Sequence, residues 1–193
     1  MRSPLTKKGR NRMSDPVSPL DGAVFEGFAT VREAGPVGMI SLRALPDVAG
    51  LAETFKALGL SVPAVRRIAH GDNGSAAWMS PDEYPLIMDY DATGAAMATL
   101  TAGLRGTHHL AVVVSDARAV FQVEGPRADQ VLRKLSPVDF DTLQPAEVRR
   151  TRAAQVAAAF WAHDGGYTVV CFRSVASYMM GLLTHSAQAG SEL

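Results

Sequence analysis

Arg149 to Phe172 reads RRTRAAQVAAAFWAHDGGYTVVCF. Arg149 to Trp161 predicts one long strand, Asp164-Gly165-Gly166 a turn, and Tyr167 to Phe172 the return strand. Ser174 follows where a helix cap belongs, ahead of an apolar stripe at Val175, Tyr178, Met179, Leu182 and Leu183. A hairpin running into an amphipathic helix points to the α+β class, with helices layered on antiparallel or mixed sheet.

Working back along the chain, His108 to Ser115 and Ala119 to Glu124 predict two consecutive strands. Gly125-Pro126 opens a helix over 126–135, with Ala128, Val131, Leu132 and Leu135 as its buried stripe and Pro137 as its stop. The first half has a parallel order. Gly38 to Arg43 is a strand; Val48, Leu51, Ala52, Phe55 and Leu58 mark a helix over 48–58, capped by Asp47 and closed by Gly59. Extended pieces at 64–70, 75–79 and 84–90 surround the hairpin signal Asn73-Gly74. Asp91 then caps a helix carrying Ala96, Met97, Leu100 and Leu104, closed by Gly106. Trp78 and Trp161, Tyr84 and Tyr167, and the caps Asp91 and Ser174 are each 83 residues apart, which predicts two repeated β-α-β-β-α units. The expected organisation is a disordered basic head over 1–17, a first unit over 18–106 and a second over 107–193, packed together as one body.

The 193 residues are 47% apolar and 20% charged, enough to bury a sizeable core. Residues 1–12 hold five basic side chains and no acid, so the chain from Met13 onward sets fourteen basic residues against nineteen acidic ones, a net of −5. Such a body has no field to attract phosphates, which argues against nucleic acid and anionic membrane as partners. No apolar run follows the basic head as a signal peptide requires. The longest such run, Val156 to Ala162, is far short of the roughly 20 residues of a spanning helix. A cytoplasmic, soluble protein is expected. The lone Cys171 excludes an internal disulfide and alternates with Tyr167 and Val169 as a small core residue of a strand.

Motifs for chemistry are few. Neither GxGxxG nor GxxxxGK[ST] occurs, and HExxH and GxSxG are also missing. His108 and His109 are adjacent in a strand and point to opposite faces, so they cannot chelate one metal together. His70 and His163 sit at predicted turns, and His185 completes the five histidines; Asp82-Glu83 offers paired carboxylates for acid/base work, but after Ser80-Pro81 the pair reads as a turn ahead of a strand. Arg66-Arg67 and Arg149, Arg150 and Arg152 mark solvated strand edges or, on a sharper reading, a subunit interface, because arginine is enriched there and lysine depleted. No catalytic, cofactor-binding or metal-binding residue is assigned.

The order of short motifs is more informative. Ser18-Pro19-Leu20, Met39-Ile40-Ser41-Leu42-Arg43, Trp78-Met79-Ser80-Pro81-Asp82-Glu83-Tyr84, Ser115-Asp116-Ala117-Arg118, Gly125-Pro126-Arg127-Ala128, Arg150-Thr151-Arg152-Ala153-Ala154-Gln155 and Arg173-Ser174-Val175-Ala176-Ser177-Tyr178 occur in succession. In that order, over 18–184, the chain resembles the gamma subunits of heterotetrameric sarcosine oxidases. It departs from them at Ala44, where glycine is common, and in its alanine-rich stretch 157–159.

The resemblance implies a fold related to the folate-binding aminomethyltransferase of glycine cleavage, and an accessory, non-catalytic subunit. It places no cofactor in this chain: FAD, FMN, NAD and tetrahydrofolate would belong to partner subunits, and zinc to the delta chain. The alpha subunit would be the main contact, with beta and delta in the same complex. The complex would oxidatively demethylate sarcosine to glycine, passing the methyl carbon toward tetrahydrofolate. Two alternatives stand beside it, a stand-alone folate-binding one-carbon transfer protein of the same fold and a homo-oligomeric binding module.

Overall fold

The computed structural model describes residues 16–193. In chain order the elements are β1 (Val24–Glu26), β2 (Thr30–Glu33), β3 (Gly38–Ala44), α1 (Leu51–Ala57), β4 (Ile68–Gly71), β5 (Gly74–Ala77), β6 (Glu83–Met88), α2 (Thr93–Gly103), β7 (His109–Val113), β8 (Arg118–Glu124), α3 (Ala128–Arg133), β9 (Val148–Ala153), β10 (Val156–His163), β11 (Gly166–Phe172) and α4 (Ala176–Ser186). Every strand pair is antiparallel. They form one sheet of order β1-β2-β8-β11-β10-β9 and another of order β4-β5-β6-β3-β7. The class is therefore α+β, as expected from sequence. The expected head lies outside the described residues except for Pro16 and Val17; the carbonyl of Val17 accepts from Arg173 at 2.6 Å.

Period-two alternation sorts the side chains into layers. On β8, Ala119, Phe121 and Val123 join Val131 and Leu132 of α3 and Met179 and Leu183 of α4 in one core. On β3 and β6, Ile40, Leu42, Tyr84 and Leu86 pack with Phe55 of α1 and Leu100 of α2 in a second. The residues between them in register face inward: Met39, Ile68 and Ala77 of one sheet meet Val120, Val148, Trp161 and Val170 of the other. The layers thus run helices, sheet, sheet, helices.

Two strands are exchanged between the sheets. β7, which precedes β8 in the chain, pairs with β3; β2, which precedes β3, pairs with β8. Neither sheet is built from one continuous stretch. At the far edges the sheets are tied again: Arg67 bridges Glu147, Ile68 donates its N–H to Ala146 (2.9 Å), and Val148 donates to Arg66 (2.9 Å). Arg66 and Ala146, at φ 60° and 57°, take the left-handed conformation on either side of this crossing. The Glu147 carboxylate sits inside it, accepting from the Gln144 N–H (2.9 Å), from Arg149 (3.1 Å) and from Arg66. Burial resists its ionisation, but the Gln144 N–H and the two guanidinium groups outweigh burial and hold the carboxyl below its ordinary range. A second buried carboxylate, Glu33 of β2, accepts from Ser18 and from the N–H groups of Gly22 (2.9 Å) and Gly35 (3.0 Å), fastening the segment ahead of β1.

Several local expectations change. The long strand expected over 149–161 is two, β9 and β10, folded back so that Ala153 pairs with Val156; the turn rests on Ala154 at φ 50°. Residues 18–106 hold six strands and residues 107–193 five, against three in each expected β-α-β-β-α unit. The strands expected over 108–124 fall in different sheets, because Val114 donates to Met39 (2.8 Å) and Ser115 Oγ accepts from the Met39 N–H (2.9 Å) before the chain crosses. Asp47 is not a cap: Val48 and Leu51 turn on the carbonyls of Leu45 and Val48, and α1 begins only after Gly50. Asp91 and Ser174 lie inside single 3₁₀ turns leading into α2 and α4 and do not cap them. Pro126 precedes α3 in a turn. Gly59 does close α1 in the left-handed conformation, φ 72°, and a side chain there would collide with Asn73. Trp78 packs on the helix side of its sheet and Trp161 on the inner side, so their matching spacing does not reflect matching environments.

Leu132, 1% exposed, belongs to the helix-side core. Leu132→Ala is expected to lower unfolding free energy by about 2–5 kcal/mol in denaturant titration. Arg133 is no idle neighbour: it bonds Asp129 (2.8 Å) and Asp141 (2.6 Å) and lies 5.4 Å over the Phe140 ring. Arg133→Ala is expected to cost less than Leu132→Ala, and its cost to shrink as salt is added.

Candidate functional site

The inner faces of the two sheets enclose a cavity of about 130 Å³. Its walls are set by register. β3 presents Met39 and Ser41, and β6 presents Glu83, Pro85 and Ile87. β10 and β11 contribute Ala157, Ala159, Trp161 and Val170 from the other side. Ala157 and Ala159 stand opposite Arg152 and Arg150 of β9, on the face where a larger residue would close the gap. The alanine-rich stretch that looked like a departure is what leaves the space open.

Charge gathers at the mouth. Glu83 Oε2 accepts from Arg43 (3.2 Å) in its own sheet and from Arg150 (3.3 Å) in the other, so one carboxylate spans the cleft. Arg43 also meets Asp82 at 2.9 Å, and Ser80 Oγ donates to Asp82 at 2.8 Å. The Ser80 hydrogen bond, with Arg43 beside it, holds the Asp82 carboxyl below its ordinary range. Arg118 lies 4.3 Å over the ring of Phe172 and bonds no carboxylate among the described residues; partial burial lowers its pKa, with Glu83 acting the other way. Three arginines against two acids leave the mouth net positive, with apolar walls behind it. This is chemistry for binding an anionic group or a neighbouring chain.

The sequence candidates scatter. Asp82 and Glu83 reach the cleft mouth as partners of arginines, and Arg150 joins them there. Arg66 and Arg149 go instead to Glu147, and Arg67 to the carbonyl of Pro145 (2.7 Å). His70 bonds Ser75 (2.7 Å), His109 the Thr107 carbonyl (3.2 Å) and His163 the Asp164 carbonyl (2.8 Å); His108 and His185 are exposed. Among the described residues no three His, Cys, Asp or Glu side chains gather so as to hold a metal. Arg118 with Phe172 carried no sequence signal, because 54 residues separate two side chains that strand pairing sets side by side.

The model of the sarcosine oxidase gamma subunit family matches residues 44–189. The chain belongs to that family. It is similar to the sarcosine oxidase subunit gamma of Corynebacterium sp. (strain U-96), 35% identical over 130 residues, which are 66% of this chain and 61% of that protein. The subunit gamma of an Arthrobacter species is also 35% identical, over 58% of this chain and 56% of the relative. The matches thus span somewhat more than half the length of these curated relatives. Among solved structures, heterotetrameric sarcosine oxidase from Corynebacterium sp. U-96, in complex with pyrrole 2-carboxylate, has a chain similar to this one at 26% identity. Its TM-score is 0.78, covering 88% of this chain and 93% of that one. Glycine cleavage aminomethyltransferase T from Bartonella henselae shares the fold at 12% identity and TM-score 0.62, covering 81% of this chain and 45% of that one. The fold relation to aminomethyltransferase stands.

In this gamma-family chain the lone thiol is buried in the cleft wall. Burial pushes the Cys171 thiol up to about 11, against the opposing pull of Arg118. Iodoacetamide at neutral pH is expected to leave Cys171 unmodified in the native protein, read by mass spectrometry, and to label it fully once the chain is denatured.

Proposed function

We propose that this chain is an accessory, non-catalytic gamma subunit of a flavin-dependent, cytoplasmic sarcosine oxidase complex. That complex demethylates N-methylglycine to glycine, reduces oxygen to peroxide and passes the methyl carbon toward tetrahydrofolate. In this reading FAD, FMN, NAD and tetrahydrofolate are held by the partner chains, the alpha subunit makes the main contact, and beta and delta complete the assembly. No residue of this chain is catalytic, and none binds cofactor or metal.

One observation carries the reading: this chain overlays nearly all of a chain of a heterotetrameric sarcosine oxidase, at a TM-score of 0.78. The chemistry of the cleft supports it, because Glu83 and Asp82 are engaged by arginines and Cys171 is held as a thiol, whereas catalysis would need a poised acid, base or nucleophile. Among the described residues no helix is long and apolar enough to cross a membrane. We read residues 18–106 and 107–193 as two units packed as one body and descended from one duplicated unit. The corresponding strand orders β4-β5-β6-β3 and β9-β10-β11-β8 support that descent.

The purified chain is expected to show no flavin absorbance and no peroxide production from sarcosine. Co-expression with its own alpha, beta and delta chains is expected to yield a co-eluting complex with both. Flavin or turnover in the lone chain would contradict an accessory role, and failure of the four chains to co-elute would contradict subunit membership.

A further inference from the structure

β7 is a bare sheet edge. Ala44 donates its N–H to Asp82 (3.0 Å), which phases β3 so that Ile40, Leu42 and Ala44 bond β6; Met39, Ser41 and Arg43 are left to bond the other side. The Val114 N–H on the Met39 carbonyl confirms that phase, so Leu110 and Val112 spend their backbone groups on β3. His109, Ala111 and Val113 therefore direct their N–H and C=O groups away from the sheet, where no strand lies among the described residues. The side chains are as unprotected as the backbone. Leu110 is 57% exposed, Val112 42% and Val113 44%, spread over both faces of the strand.

The other three sheet edges are managed. β1 is three residues long, β9 carries Arg149, Arg150 and Arg152, and β4 is four residues ending in glycine and adjoins the Arg67–Glu147 bridge. β7 has no proline, lysine or bulge, and nothing but apolar residues after His109. An edge of that kind is a template for another strand.

We propose that β7 is the point at which an unlike subunit of the assembly adds a strand to this sheet. The added segment would be about five residues long, apolar on both faces, and would set a carboxylate beside His109 and the start of β7. The charge there points the same way. Residues 92–115 include Arg105, His108 and His109 and no acid, and Arg105 bonds no carboxylate among the described residues. A second copy of this chain fits worse. The free groups allow self-pairing about Ala111, and that would set each His109 ring opposite Val113. His109 Nδ1 is within 3.2 Å of the Thr107 carbonyl, so its other nitrogen would face an isopropyl group. This inference rests on the reading of the chain as a subunit and names where that subunit is held.

The test is amide hydrogen exchange on the co-expressed four-chain complex and on the lone chain, with two variants. Ala111→Pro removes an outward N–H without touching the β3 ladder; Val112→Lys puts a charge on the exposed face and leaves the backbone intact. In the complex the amides of Ala111 and Val113 are expected to slow by about 100-fold relative to the lone chain. Either variant is expected to reduce co-elution with the partner chains by about tenfold while the lone chain melts within about 2 °C of wild type. A complex in which those amides exchange as fast as in the lone chain would overturn the added strand and leave subunit membership intact. So would a lone-chain dimer that Val112→Lys dissolves while the complex is unaffected, because the occupant would then be a second copy. Failure of the wild-type chains to form any complex would bring down the subunit reading, and this inference with it.

Discussion

The structure depends on the exchange of β2 and β7 between the two sheets. Each sheet is completed by the strand that precedes the other half's first central strand, so neither is complete until the connections 34–37 and 114–117 have crossed between them. The inner faces then meet through Met39, Val120, Trp161 and Val170, and the Glu147 cluster tethers the far edges. Long-range pairing of this kind is slow to close, and a strand exchanged in each direction is expected to make the two halves unfold together.

The same arrangement creates the cleft and limits what it does. Sheets packed face to face with large residues would leave no space; alanines at 157 and 159 leave some, and Trp161 bounds it. Arginines at its mouth spend most of their charge on Glu83 and Asp82, joining sheet to sheet. A carboxylate engaged in this way is a structural counter-ion, and a thiol raised by burial is a core side chain. A small apolar cleft with arginine-bound carboxylates at its mouth is compatible with the accessory role proposed for this gamma-family chain.

Much of this architecture was legible in the residues. A short apolar-rich run located β3, an extended piece β6 and alternation β8 and β11; the helical stripes located the four α-helices of the described residues, and Gly59 marked an end correctly. What escaped had a common physical cause. The fold-back at Ala154-Gln155 uses a left-handed alanine where no glycine or asparagine advertises a turn. β1 and β2 are short and owe their strand character to pairing, β1 with β2 and β2 with β8, rather than to their own pattern. Helix starts shifted because one 3₁₀ turn, not a side-chain cap, leads into α2 and into α4. At the site, Glu83 and Arg150 were visible as charges, but the pairing that joins them is a fact of two sheets meeting. The stretch Leu110 to Val113 read as an ordinary strand; that it is an edge of its sheet among the described residues follows only from strand order.

The most direct test of the exchanged, interlocked body is equilibrium urea unfolding of two single-tryptophan variants, Trp78→Phe and Trp161→Phe. The remaining tryptophan reports the helix-side core of one sheet in the second variant and the inter-sheet layer in the first. The account predicts that fluorescence and far-ultraviolet circular dichroism give coincident single transitions in both. Separate midpoints, with the inter-sheet tryptophan released while the other sheet keeps its core, would show two independently stable halves and contradict it.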